Sequence, residues 1–172
     1  MIERLTSSDL DGALDDLTGI LHACVHDGAS VGFILPFPPE QARAYWLNHV
    51  WSGVAGNELD LFAVRNAQHV LGTVQLIPAK MPNQPHRADV AKLLVHPNAR
   101  RQGLGRALMA ALEERAAQLG RNVLVLDTRS SDPSLRLYQS LGFQIAGEIP
   151  NYCRNPFDDR LEPTTFMYKN LH

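Results

Sequence analysis

The chain has 172 residues, 45% hydrophobic and 20% charged, with 16 Lys and Arg against 18 Asp and Glu for a formal net charge of −2. That length suits one domain over residues 1–172, which buries roughly 70% of its unfolded surface and needs no disulfide or metal staple. The near-neutral balance excludes general nucleic-acid or membrane-surface binding driven by net charge.

Ser7, Ser8 and Asp9 offer capping oxygens ahead of Leu10, Ala13, Leu14, Leu17, Ile20, Leu21 and Val25, whose spacing predicts a helix closed by Asp27-Gly28. A loop with Gly28 and Gly32 and then Pro36, Pro38 and Pro39 leads into a second short helix, over 40 to about 51. Strands are predicted over 59–64 and 69–77 around the turn at Asn66, then over 88–95, where Pro97 stops the run. The stripe of Leu104, Ala107, Leu108, Ala111, Leu112, Ala116 and Leu119 predicts a long helix over 103–119. Residues 123–126 are wholly apolar, as a strand covered on both faces would be. A short helix over 133–140 and strands over 143–149 and 164–169, joined by a loop over 150–163, complete the order αα-ββ-β-α-β-α-β-β. That is an α/β (α+β) chain with at least one parallel pair across the long helix.

No apolar run approaches the ~20 residues of a membrane span, and Met1-Ile2-Glu3-Arg4-Leu5 has no signal-peptide core, so a cytoplasmic protein without a membrane partner is expected. Cys24 and Cys153 read as free thiols. There is no Cys-x-x-Cys or His-Glu-x-x-His and the seven histidines are scattered, so no metal is expected.

The informative segment runs from Leu93 to Leu108: a strand ends, Pro97 turns the chain, and a basic, glycine-bearing loop opens the long helix. Backbone N–H groups at a helix start lack intrahelical partners and carry partial positive charge, which suits a phosphate. Arg100, Arg101 and Arg106 add charge-assisted donors. A P-loop requires Lys and Ser or Thr where Arg106 and Ala107 stand, and a dinucleotide fingerprint requires Gly or Ala at Leu108, although Asp127 mimics its ribose-binding acid. A plain surface loop with incidental arginines is the remaining alternative.

Arg100-x-x-Gly103-x-Gly105, followed after the next strand by Leu137-Tyr138-x-x-Leu141-Gly142-Phe143, resembles the GNAT acetyltransferase superfamily. The resemblance covers the chain from about Leu59 onward and implies a mixed, mostly antiparallel sheet with a splayed parallel central pair, flanked by helices. It implies acetyl-CoA as cosubstrate. Leu93 and Val95 would bind the pantetheine arm, backbone N–H groups around Leu94 and Val95 could hold the developing oxyanion, and Arg101, Gln102, Gly103, Leu104, Gly105 and Arg106, with Arg100, would cradle the diphosphate. Ser131 stands where many members have a cofactor-binding asparagine, and Ser134 is placed to reach the pantetheine instead. Residues 28–33, 87–93, 126–128 and 147–153 further resemble the tabtoxin-resistance group, which acetylates an amino group of an amino-acid-like β-lactam toxin.

By this resemblance Tyr138 protonates the departing thiolate, while Asp89 and Asp127 deprotonate or orient the amine. Each has a plainer reading. Tyr138 and Leu141 could be core packing, Asp89 could pair with Arg87 or Lys92, and Asp127 could cap the loop after it. Cys153 as an acyl carrier lacks an adjacent histidine. Phe33, Trp46, Trp51 and Tyr152 are candidate walls of an acceptor pocket, with core or surface packing as the favoured reading of each. The expected activity is transfer of acetyl to a primary amine of a small molecule by direct attack in a ternary complex, and the resemblance admits a homodimer. A protein or peptide acceptor and a non-catalytic acyl-CoA-binding module are the alternatives.

Overall fold

The computed structural model describes residues 1–171. Its strands are β1 (Ile2–Leu5), β2 (Asp60–Arg65), β3 (Val70–Pro78), β4 (Arg87–Val95), β5 (Val123–Arg129), β6 (Gln144–Arg154) and β7 (Leu161–Asn170). The helices are α1 (Leu10–His26), α2 (Pro39–Tyr45), α3 (Ser52–Ala55), α4 (Leu104–Gln118) and α5 (Ser134–Ser140). The strands form one sheet in the order β1-β2-β3-β4-β5-β7-β6, with β4 and β5 parallel and every other neighbouring pair antiparallel.

Strand alternation divides the apolar residues between two cores, one on each face of the sheet. Leu61 and Ala63 of β2 join Leu17, Ile20, Leu21 and Val25 of α1, whereas Phe62 and Val64 join Leu108, Met109 and Leu112 of α4. Both faces are therefore covered by helices. Burying each such leucine contributes about 1.5–3 kcal/mol. Of the predicted α4 stripe, Leu108, Leu112 and Ala116 are buried, but Ala107 and Leu119 are exposed and Met109 takes a core position.

Three elements depart from the expected order. β1 lacks apolar alternation because Glu3 and Arg4 interrupt it; as an edge strand it tolerates charge, with Glu3 paired to Arg65 and Arg4 to Asp60 at 2.8 Å. The second helix continues past Trp51 to Ala55, through a π-helical segment at Trp46–Trp51. The expected 150–163 loop is instead mostly strand. β6 runs on to Arg154 and β7 begins at Leu161, with a register shift between Ile149 and Cys153. β6 lies at the sheet edge, where a bulge and Pro150 disrupt no second ladder.

Two irregularities in β4 position the site. Its parallel pairing with β5 covers Arg87, Ala88 and Asp89 against Val123, Leu124 and Val125, and beyond that the strands part. On its other side, Ala91 pairs with Gln75 and Leu94 with Thr73, so β4 holds one more residue than β3 between those pairs. This is a bulge, with Lys92 in the left-handed region at φ +51. It reverses the strand's facing: Ala88 and Val90 pack in the α4 core, while Leu94 packs in the α1 core.

Candidate active site

Beyond Asp89 the β5-facing edge of β4 has no strand partner, so a wedge opens between the two strands. Leu93 and Val95 pack toward the α4 core and Leu94 toward the α1 core. The Val95 carbonyl already accepts from Arg100 Nε at 3.3 Å and from the Cys24 thiol at 3.5 Å.

The chain leaves β4 through a 3-10 turn at Pro97–Ala99, where His96 Nδ1 accepts from the Asn98 amide at 3.3 Å. Gly103 precedes α4 at φ +77, a conformation that costs a side-chain-bearing residue about 1–2 kcal/mol. A Cβ placed there would meet nothing within 4 Å. No carbonyl among the described residues accepts from the backbone N–H groups of residues 103–106. Free amides, open space and the positive end of a fifteen-residue helix fit a diphosphate.

The basic side chains divide the work. Arg100 ion-pairs with Asp27 and reaches Cys24, which ties the loop to the end of α1. Arg106 donates to Ser140 Oγ at 2.8 Å, linking α4 to α5. Arg101, Gln102 and Gly103 are exposed, and Leu104 and Gly105 are half-buried. Ser134 shares a hydrogen bond with Thr128 at 2.8 Å, fixing the start of α5 to β5.

Tyr138 projects from α5 into the α4 core, where it is 7% exposed with its ring centroid 5.8 Å from that of Phe143. Its hydroxyl has no hydrogen-bond partner among the described residues, so the local bond that pure packing would supply is absent. Burial, reinforced by the charges of Asp127 and Asp132, holds the phenol well above its ordinary range. It is a neutral proton donor at any physiological pH.

The two acids sit on the opposite face. Asp89 pairs with Val125, and Asp127 lies two positions further along β5, so both point away from the face that carries Ala88, Leu124 and Leu126. Asp89 accepts from Arg87 Nη1 at 2.6 Å, and Arg87 Nε in turn donates to Gln84 at 3.0 Å. Asp127 is exposed past the last paired position. The wedge therefore has a phenol on one side and carboxylates on the other.

The remaining candidates take their plainer readings. Trp46 and Trp51 are buried among α1 residues, with Trp46 Nε1 donating to the Leu17 carbonyl at 2.9 Å, so they are core rather than pocket wall. Cys153 Sγ lies 3.4 Å from Ser30 Oγ and 3.6 Å from Thr164 Oγ1, with no histidine among its partners. The sequence offered Lys92 only as a possible partner of Asp89 and gave Tyr45 no role; Asp89 takes Arg87 instead, and the Lys92 ammonium lies 5.6 Å from the Tyr45 ring centroid. Only the bulge brings them together.

The loop over residues 28–39 is fastened to the β6–β7 hairpin. The Leu35 amide donates to the Pro156 carbonyl at 2.9 Å, and Arg129 Nη2 donates to the Gly28 carbonyl at 2.9 Å while Nη1 holds Glu162 at 2.9 Å. Phe33 stacks within it, 4.6 Å from Phe37 and 5.3 Å from Tyr45 between centroids, whereas Tyr152 is exposed against Phe166. Among the described residues no cluster of His, Cys, Asp or Glu is arranged to hold a metal, and no helix is long and apolar enough to cross a membrane.

The chain resembles known proteins in both sequence and fold. A sequence profile of the Acetyltransferase (GNAT) family matches residues 33–143. An uncharacterized N-acetyltransferase from the hisH-hisA intergenic region of Azospirillum brasilense is 34% identical over 123 residues, 70% of each chain. The L-amino acid N-acyltransferase MnaT of Escherichia coli is 40% identical over 82 residues, 40% of this chain and 48% of that one. Among solved structures, yncA of Salmonella typhimurium with its cofactor acetyl-CoA superposes with a TM-score of 0.77 at 21% identity, over 100% of this chain and 94% of that one. The chain belongs to the GNAT family and is an acetyl-CoA-dependent N-acetyltransferase.

Proposed function

We propose that the acceptor is a primary amine of a small molecule, acetylated by direct attack within a ternary complex. The observation that carries this reading is the fastening of the 28–39 loop to the β6–β7 hairpin through Leu35, Pro156, Arg129 and Gly28. A loop held at both ends in this way narrows the approach to the wedge, and an extended peptide needs an open groove. The L-amino acid acceptor in the name of the Escherichia coli relative is in keeping with a small substrate. The likeness of residues 28–33, 87–93, 126–128 and 147–153 to the tabtoxin-resistance group extends the reading to amino-acid-like toxins.

The residues divide the chemistry as follows. The backbone N–H groups of residues 103–106, with Arg101 and Arg106, bind the diphosphate, and the free edge at Leu93 to Val95 aligns the pantetheine arm. Ser134 stands at the start of α5 for a further contact. When bound, acetyl-CoA supplies an activated acyl carbon and a thiolate leaving group. Asp127 orients the incoming ammonium and accepts its proton, Asp89 supports it from the closed end of the wedge, and Tyr138 holds the proton destined for sulfur. An α-amine with a pKa near ~8 already has a neutral fraction at physiological pH, so this help is modest for such acceptors.

Two measurements test the proposal. CoA should raise the melting temperature, and a panel of small amines and peptides incubated with acetyl-CoA should release thiol with small amines preferred. Thiol release confined to peptides would replace the small-molecule acceptor with a protein one. No thermal shift at saturating CoA would remove the assigned cofactor site.

A further inference from the structure

The chain has three lysines. Lys80 is bound to Glu58 at 2.7 Å and Lys169 to Glu113 at 2.7 Å. Lys92 has no carboxylate within salt-bridge distance and no hydrogen bond among the described residues, although its side chain is half-buried. Desolvating an ammonium without a counter-ion is costly, and its proton affinity falls accordingly; only the more distant Asp127 opposes that trend.

Lys92 occupies the left-handed region at φ +51 inside the β4 bulge. A bulge re-aims a side chain, and this one carries Lys92 over the ring of Tyr45, whose hydroxyl is 3.3 Å from the Gln75 amide. Gln75 pairs directly with Ala91, so Tyr45, Gln75 and Lys92 lie on the face of the sheet that also carries Asp89 and Asp127. That face presents one unpaired cation and one exposed carboxylate beside the opening of the wedge.

We infer that Lys92 binds an anionic group of the acceptor, so that the acceptor carries a carboxylate beside its amine. The complementarity is direct: an ammonium meets Asp127, and a carboxylate on the same small molecule supplies the counter-ion that Lys92 lacks. This rests on the small-amine reading above and assigns the residue that would distinguish zwitterionic acceptors from simple amines.

The test uses the full chain with acetyl-CoA and a panel of α-amino acids, each paired with its carboxamide. Thiol release gives kcat/KM for both members, and calorimetry on the CoA complex gives their affinities. The carboxylate-to-carboxamide ratio, compared between variants, cancels the different amine basicities of the two members. Lys92→Met should lower that ratio at least tenfold, mainly through KM, and Lys92→Arg should restore most of it. The CoA-induced rise in melting temperature reports that each variant is folded, and Lys92→Gln replaces the methionine variant if that one is not. A ratio unchanged by loss of the ammonium, or a wild-type preference for the carboxamides, would overturn the role of Lys92 while leaving the small-amine reading intact. Carboxylate-dependent binding without turnover would overturn the small-amine reading alone. Failure of both members to bind would overturn the two together.

Discussion

Asp89 stands opposite Val125 at the last paired position of the parallel β4–β5 ladder, so it marks the closed end of the wedge, and Asp127 lies two residues beyond that pair. The two acids share a face but not an environment, since Asp89 is engaged by Arg87 and Asp127 is exposed. Asp127→Asn is therefore expected to lower kcat/KM by about 10²-fold, as loss of a positioned proton acceptor does. Asp89→Asn should bring a smaller loss of rate. Steady-state kinetics of both variants decide the matter; an Asp89→Asn kcat/KM equal to that of the wild type would remove Asp89 from the acceptor chemistry.

Tyr138→Phe should reduce kcat by about 10²–10³-fold while the CoA-induced thermal shift persists. Because burial and the neighbouring carboxylates raise the phenol's proton affinity, the acid form survives well past the ordinary tyrosine pKa of about 10. Wild-type kcat should show no alkaline decline from this group near that pH. The same shift acts on stability. Its contribution is intact below the unfolded pKa and is lost as pH rises from there through the higher folded one. Full turnover by the phenylalanine variant would leave Tyr138 only its packing against Phe143.

Gly72 secures the other edge of β4. A Cβ there would stand 2.8 Å from the Leu94 carbonyl oxygen, 3.2 Å from Val95 Cγ2 and 3.3 Å from Val64 Cγ1. The nearest of these is backbone and cannot rotate away. Gly72→Ala should cost about 1–3 kcal/mol, which lowers the melting temperature by roughly 2–4 °C per kcal/mol in a chain of this size. CoA binding should weaken as well, because the displaced segment includes Leu94 and Val95. A melting temperature equal to that of the wild type would show that β4 has room to move.

The sequence by itself determined the elements whose information is local. The α4 stripe, the apolar run of β5, and the Arg100-x-x-Gly103-x-Gly105 loop between a proline-stopped strand and a helix were legible because periodicity, caps and glycine geometry act within a few residues. The family and its cosubstrate followed from that loop and the Tyr138 segment. β1 and the extension of the β6–β7 pair beyond residues 149 and 164 were not legible, since an edge strand rich in charge and a bulged one carry no clean alternation.

Only the tertiary structure decided what each polar side chain touches. Arg100 turns to Asp27, Asp89 to Arg87, Trp46 to the α1 carbonyl of Leu17, and Lys92 to Tyr45. For Lys92 the reason is the single extra residue in β4. A bulge reverses the facing of everything after it, and whether one forms depends on how β3 and both helical layers pack, which no spacing within β4 records.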